Sequence, residues 1–211
     1  YNQESGVVQF INTFQYLKES ESWVYSFTNE IPMMSQDHQF SYVIPVSNSG
    51  GGTGLGDILL NYRYQLMNAP NLAMAPRISL IAPTGSPSKG NGFGEWGVQV
   101  NHAISYLIAP NWVTHFNLGG TYYMENGASS ANSGVSLIYL FKETLNFMFE
   151  VTGNLEKGGT FSGFLNPGFR YAWNFPSGLQ IVPGISVPVG FAAASREYGI
   201  FAYLSFEHKL W

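Results

Sequence analysis

The sequence predicts an all-β protein: a closed, antiparallel, up-and-down transmembrane β-barrel of twelve strands, formed by one domain over residues 1–211. Three observations lead there. Apolar and polar residues alternate in segment after segment, and no stretch of ten residues sustains a helical period. Charged residues make up only 10% of the chain, against roughly 25% in an average soluble domain. The connections alternate between short turns and longer runs rich in Gly, Ser and Asn.

The alternating segments are 6–17, 22–33, 38–47, 55–67, 72–83, 95–108, 112–124, 132–141, 144–155, 162–174, 178–190 and 197–210. Spread over 211 residues, twelve strands leave seventeen or eighteen residues per strand and connection. A tilted membrane-spanning strand takes about 9–11 residues, so the remainder suffices for turns and modest loops. The short connections are MNAPN (67–71), IAPNW (108–112), KET (142–144) and NFPSG (174–178). The longer ones are SNSGGGTG (47–54), TGSPSKGNGFG (84–94), ENGASSANSG (125–134) and GFAAASRE (190–197). Short periplasmic turns facing longer outside loops are the pattern of bacterial outer-membrane barrels.

Charge decides which face meets water. The fourth strand, GLGDILLNYRYQL (54–66), sets Asp57, Asn61, Arg63 and Gln65 against Ile58, Leu60, Tyr62, Tyr64 and Leu66. The ninth sets Asn146, Glu150, Thr152 and Asn154 against Leu145, Phe147, Phe149 and Val151. The tenth sets Asn166, Gly168, Arg170 and Ala172 against Leu165, Pro167, Phe169, Tyr171 and Trp173. Between Trp96 and Met124 no Asp, Glu, Lys or Arg occurs. A water-facing sheet of that composition would aggregate. In lipid, where every backbone group must pair within the protein, the same pattern is stable as a closed barrel with the apolar face outward. Trp23, Trp96, Trp112, Trp173, Tyr122, Tyr123 and Trp211 are then expected in interfacial girdles. Pro32, Pro45, Pro76, Pro167, Pro183 and Pro188 are expected near strand ends or bulges.

Several functions are disfavoured. Nine Lys and Arg against thirteen Asp and Glu, without a basic run, give no nucleic-acid footprint. With no cysteine there is no disulfide scaffold, thiolate zinc site or cysteine nucleophile. No run of about eighteen apolar residues suggests a transmembrane helix. The chain opens on YNQESG without a visible signal peptide and is expected to be a processed form. His102 and Ser105 fall on opposite faces of one strand, as do His38 and Ser41. Neither offers the spacing of a lipid hydrolase, no histidine pair has metal-ligand spacing, and no cofactor is expected. The run GGGTGLG precedes a strand, which excludes a dinucleotide fingerprint.

The stretch 50–86, GGGTGLGDILLNYRYQLMNAPNLAMAPRISLIAPTGS, resembles the bacterial outer-membrane transporter family of the "meta-pathway of phenol degradation". Gly54, Gly56, Asp57, Tyr62, Arg63, Arg77, Pro83, Thr84 and Gly85 carry the likeness, which is clearest over about 50–125. Ser86 stands where that pattern leads one to expect an acid. The resemblance implies passage of small hydrophobic or aromatic compounds.

The residues expected to line the lumen and meet a small-molecule solute are Glu30, Asp57, Asn61, Arg63, Arg77, His115, Asn117, Glu150 and Arg170. Leaving aside Glu95 and Glu197 at strand ends, eight charges fall within the strands, four acids and four bases; the balance points to internal ion pairs rather than a ring of one sign. Arg63, Arg77 and Arg170 are expected to neutralise Asp57, Glu150 and Glu30. Folding the hairpin about residue 69 sets Asn61 opposite Arg77, and a turn near 159 brings Glu150 close to Arg170. Val43, Ile81, Ile138, Leu140 and Val182 also point inward, and loop 84–96 is a candidate lid. The expected setting is the bacterial outer membrane, with lipid, lipopolysaccharide or detergent on the outer face. The last strand, IFAYLSFEHKLW, ends in an aromatic residue, as a signal for the assembly machinery does, although Leu210 rather than Trp211 continues its apolar face. Passive uptake of small solutes is the leading function. A structural or adhesive barrel is the main alternative, and a lipid-modifying enzyme the lesser one.

Overall fold

The structure, a computed structural model, describes residues 6–33 and 35–209. Twelve strands form one antiparallel sheet that closes on itself. They are β1 (Val7–Leu17), β2 (Ser22–Met33), β3 (His38–Asn48), β4 (Gly54–Leu55, Ile58–Tyr64 and Met67–Asn68), β5 (Leu72–Ala82) and β6 (Gly97–Ala109). The second half holds β7 (Trp112–Tyr123), β8 (Ser129–Lys142), β9 (Leu145–Glu156), β10 (Phe161–Tyr171 and Trp173–Asn174), β11 (Gln180–Ser186 and Val189–Ala192) and β12 (Gly199–Lys209). Each strand pairs with its chain neighbours, and β1 pairs with β12 from Val7–Lys209 to Leu17–Gly199. Closure leaves no free edge, which the hydrocarbon core of a membrane demands.

Burial is inverted relative to a soluble domain. Gln39 is 1% exposed and Ser205 0%, whereas Leu118 is 67% exposed and Val100 57%. Such an apolar exterior is stable only in lipid. Strand alternation produces it: the register aligns Ser41, Asn61, Ser79 and Gln99 on the inner face, and Tyr42, Leu60, Leu80 and Val98 on the outer. Ile81, Ile138 and Val182 are buried in the lumen, as their strand parity dictates.

Two outside connections are shorter than the sequence suggested. Residues 129–131, read as part of a loop, extend β8, and β11 continues through Ala192. Their Ser, Gly and Ala side chains resemble loop composition but suit a narrow polar lumen equally well. Trp96, Trp112, Trp173 and Tyr122 are exposed on the outer face near strand ends, as interfacial aromatics are. Tyr123 is not part of that girdle: it faces Gly97 on the inner wall and stacks on Phe93 at 3.9 Å. Trp211 and Leu210 lie outside the described residues. The prolines also depart from expectation. Pro32 and Pro45 lie near a strand end and a bulge, but Pro76 and Pro167 occupy strand interiors, and Pro188 falls in the break of β11.

Candidate functional site: the barrel lumen

The outer mouth is organised by Asp57, which sits where β4 is interrupted between Leu55 and Ile58. Its carboxylate accepts the backbone N–H of Gly85 at 2.9 Å and of Phe93 at 2.7 Å. Charge-assisted bonds of this kind are the strong ones. Gly92 packs so close that a Cβ there would lie 2.6 Å from an Asp57 oxygen. Thr84 repairs the break in β4: its hydroxyl accepts the N–H of Ile58 at 3.0 Å and donates to the carbonyl of Gly56 at 2.7 Å. Asn91 is buried and bonded to Ser47 and to the Gly52 carbonyl. Loop 83–96 is therefore held down over the mouth, with Gly90–Phe93 lining an outer cavity of about 980 Å³. Among the described residues no arginine pairs with Asp57; backbone donors satisfy it instead.

Deeper in the lumen lies a cavity of about 560 Å³, bounded by Arg63, Arg77, Asn101, Asn117, Asn132 and Glu150 among others. The outer cavity and this one share Asn154 in their walls. Arg63 approaches Glu30 at 3.8 Å, and Arg77 donates to Gln99 at 2.9 Å. Two register expectations are corrected here. The β4–β5 hairpin sets Asn61 opposite Ser79 and Arg63 opposite Arg77, because its turn is one residue further along. The two arginines therefore face each other, with Glu30 two strands away as the nearby counter-charge. Glu150 lies opposite Asn166, and Arg170 opposite Asn146, so these charges are separated along the strands rather than side by side. Of the three neutralisations expected, only an arginine–Glu30 contact appears among the described residues, and it is made by Arg63.

A side cavity of about 280 Å³ opens from the same region, sharing Glu150, Thr152 and Phe164 with the central one. Met148, Phe164, Phe201 and Tyr203 give it an apolar lining, and Arg170 and Asn166 give it polar ends. Phe201 and Tyr203 escaped the sequence reading, which had sought lumen function in charge. Their inward parity on β12 was the available signal.

Towards the periplasmic rim the lumen is filled by side chains. Gln9, Gln39, Ser41, Gln65, Ala73, Ala75, Ser105, Ser136, Ile138, Val182 and Ser205 are all buried there. His115, inward as expected, bonds through Nδ1 to the Ser105 hydroxyl at 2.7 Å. This Ser–His contact joins adjacent strands, so searching along single strands could not find it. Their neighbour on β8 is Ser136, and His115 gains no orienting carboxylate among the described hydrogen bonds. His102 points to lipid beside Tyr62, Tyr64, Ile78 and Leu118. Among the described residues no cluster of His, Asp and Glu could hold a metal ion.

A closed barrel, apolar outside and polar within, with chambers opening from one rim, is an outer-membrane barrel of the channel and porin type. Residues 1–206 match the family described as "Putative MetA-pathway of phenol degradation", and the chain belongs to that family. No curated protein matches it by sequence. Among solved structures it is similar to the COG4313 outer membrane channel of Pseudomonas putida F1, at 13% identity and a TM-score of 0.70, covering 99% of this chain and 96% of that one. The NanC porin follows at 7% identity and 0.65, covering 95% and 100%. The CymD monoaromatic hydrocarbon channel matches at 11% identity and 0.55, covering 99% and 89%. At such identities the likeness is one of fold. These neighbours are channels and porins, and the chain shares their closed barrel of the bacterial outer membrane.

Proposed function

We propose that the barrel is a passive channel through which small apolar or aromatic solutes enter the cell. The observation that carries this reading is the sequence of chambers: a polar mouth, a central cavity of asparagines and arginines, and an adjoining apolar cavity between Met148, Phe164, Phe201 and Tyr203. An engineered apolar cavity of about 150 Å³ is enough to hold benzene, so the apolar chamber has room for one ring. The family's link to phenol degradation and the fold shared with a monoaromatic hydrocarbon channel support the same solute class.

The test is uptake of radiolabelled toluene by whole cells with an intact lipopolysaccharide leaflet, with and without the folded barrel. Folding is checked by the change in gel mobility on boiling. Faster uptake in barrel-bearing cells is the expected result. Equal uptake with the barrel folded would transfer the protein to the structural or adhesive reading.

A further inference from the structure

We infer that the apolar chamber recognises a hydroxylated aromatic acid: the ring lies among Met148, Phe164 and Phe201, the carboxylate meets Arg170, and a hydroxyl at the opposite end of the ring meets Glu150. This rests on the channel reading above and narrows its solute class. Three observations meet in the chamber.

The first is a cation without a counter-charge. Other charges of the lumen are answered within the protein. Arg63 has Glu30 at 3.8 Å, Arg77 has the Gln99 carbonyl at 2.9 Å, Glu207 has the Gln9 amide at 2.6 Å, and Asp57 has two backbone donors. Arg170 makes no ion pair and no hydrogen bond among the described residues. Even Asn146, opposite it in the register, leaves a buried carbonyl oxygen without a donor among them. An ionisable side chain at membrane depth marks a solute path, and its partner has to be named; here the wall supplies none.

The second is the shape around that cation. The chamber measures about 280 Å³, is walled by Met148, Phe164, Phe201 and Tyr203, and carries Arg170 in its lining. Apolar walls with a few placed polar groups are the general form of a small-molecule site. A neutral ring fills such walls but leaves the guanidinium unanswered. A carboxylate on the ring answers it with two parallel N–H···O bonds, the strong bidentate form.

The third is Glu150. It lines both the central cavity and the chamber, so it stands where the two join. It too makes no ion pair and no hydrogen bond among the described residues. In the register it lies opposite Asn166, four residues before Arg170 on β10. Four residues of strand set the two charges about 13 Å apart along the wall, and no ion pair joins them. A solute entering from the central cavity meets the anion first and the cation last. Its carboxylate is repelled at the doorway and attracted to the far end, which fixes the orientation. The end left at the doorway then faces a carboxylate, which only accepts hydrogen bonds. A hydroxyl there donates to it, and one molecule satisfies both charges.

The probes are 4-hydroxybenzoate, its methyl ester and benzoate, titrated by calorimetry into the detergent-solubilised barrel. The ester keeps ring and hydroxyl and loses the charge; benzoate keeps the charge and loses the hydroxyl. The wild-type barrel is expected to bind 4-hydroxybenzoate at least about tenfold tighter than either, a difference of about 1.4 kcal/mol. In Arg170→Gln, its folding checked by gel mobility, acid and ester should bind alike. The wild-type series needs no variant, so the result does not depend on how Arg170→Gln folds. An ester that binds the wild type as tightly as the acid, or an advantage of the acid that persists in folded Arg170→Gln, would overturn the site at Arg170. Benzoate binding as tightly as 4-hydroxybenzoate would overturn the contact at Glu150. Either result, with toluene uptake still faster than in barrel-free cells, leaves the channel reading standing. Toluene uptake no faster than in those cells removes the channel reading itself.

Discussion

Asp57 shows how one side chain sets the form of a chain end of the barrel. Its two oxygens hold backbone donors that lie 28 and 36 residues further along. Hydrogen bonds to a charged group contribute about 1.5–3 kcal/mol each, so losing both should free the loop. In Asp57→Ala, tryptic cleavage after Lys89 is expected to quicken at least about fivefold, a loss of local protection of about 1 kcal/mol; unchanged cleavage would show that other contacts hold the loop. The inward direction of Asp57 was readable from alternation. Its partners were not, because backbone N–H groups carry no signature in a sequence. The same reason hid the Ser105–His115 contact, whose two members meet only once β6 and β7 are paired.

At the scale of strands, the β4–β5 hairpin carries the clearest electrostatic consequence. Arg63 and Arg77 face each other, and Glu30 offsets their repulsion from β2. Removing Glu30 leaves two facing cations; removing Arg63 leaves one cation near one anion. Glu30→Gln is therefore expected to lower the unfolding free energy of the lipid-embedded barrel, measured in urea, more than Arg63→Gln, by about 1 kcal/mol, the usual scale of a weakly screened like-charge contact. The reverse order would mean that Arg63 holds something besides Glu30. All twelve strands were legible from period-2 alternation and turn residues. Register was less so: a turn centre misplaced by a single residue exchanged Asn61 for Arg63 as the partner of Arg77. Turn residues mark where a hairpin lies but do not by themselves fix which pair closes it. Proline positions misled in the opposite sense, since Pro167 sits in a strand interior that a rule about ladder bonds would disfavour.

For the molecule as a whole, the inversion of polarity is the ruling fact. Leu118 on the outside and Asn117 on the inside are chain neighbours in β7. Arginine at 118 should cost about 2–4 kcal/mol near the bilayer midplane, while arginine at 117 should cost far less. Equilibrium folding into lipid vesicles measures both; similar costs would contradict the assigned faces. The reversal was legible in composition, because a sheet with no charge from Trp96 to Met124 has no soluble solution. The filling of the periplasmic half was not, since Gln, Ser and Ala suit a water-lined pore and a packed one alike.

The outer rim is uneven, and that has a practical side. At Gly85 and Gly92 an added Cβ would collide with the Asp57 carboxylate, whereas at Gly158 and Gly159 nothing lies within 4 Å. The long loop, where foreign sequence would ordinarily be grafted, has no room for it at Gly85 or Gly92. Gly158 and Gly159 both take positive φ, so an epitope there belongs between the glycines, not in place of them, and it would leave the mouth of the barrel as it is.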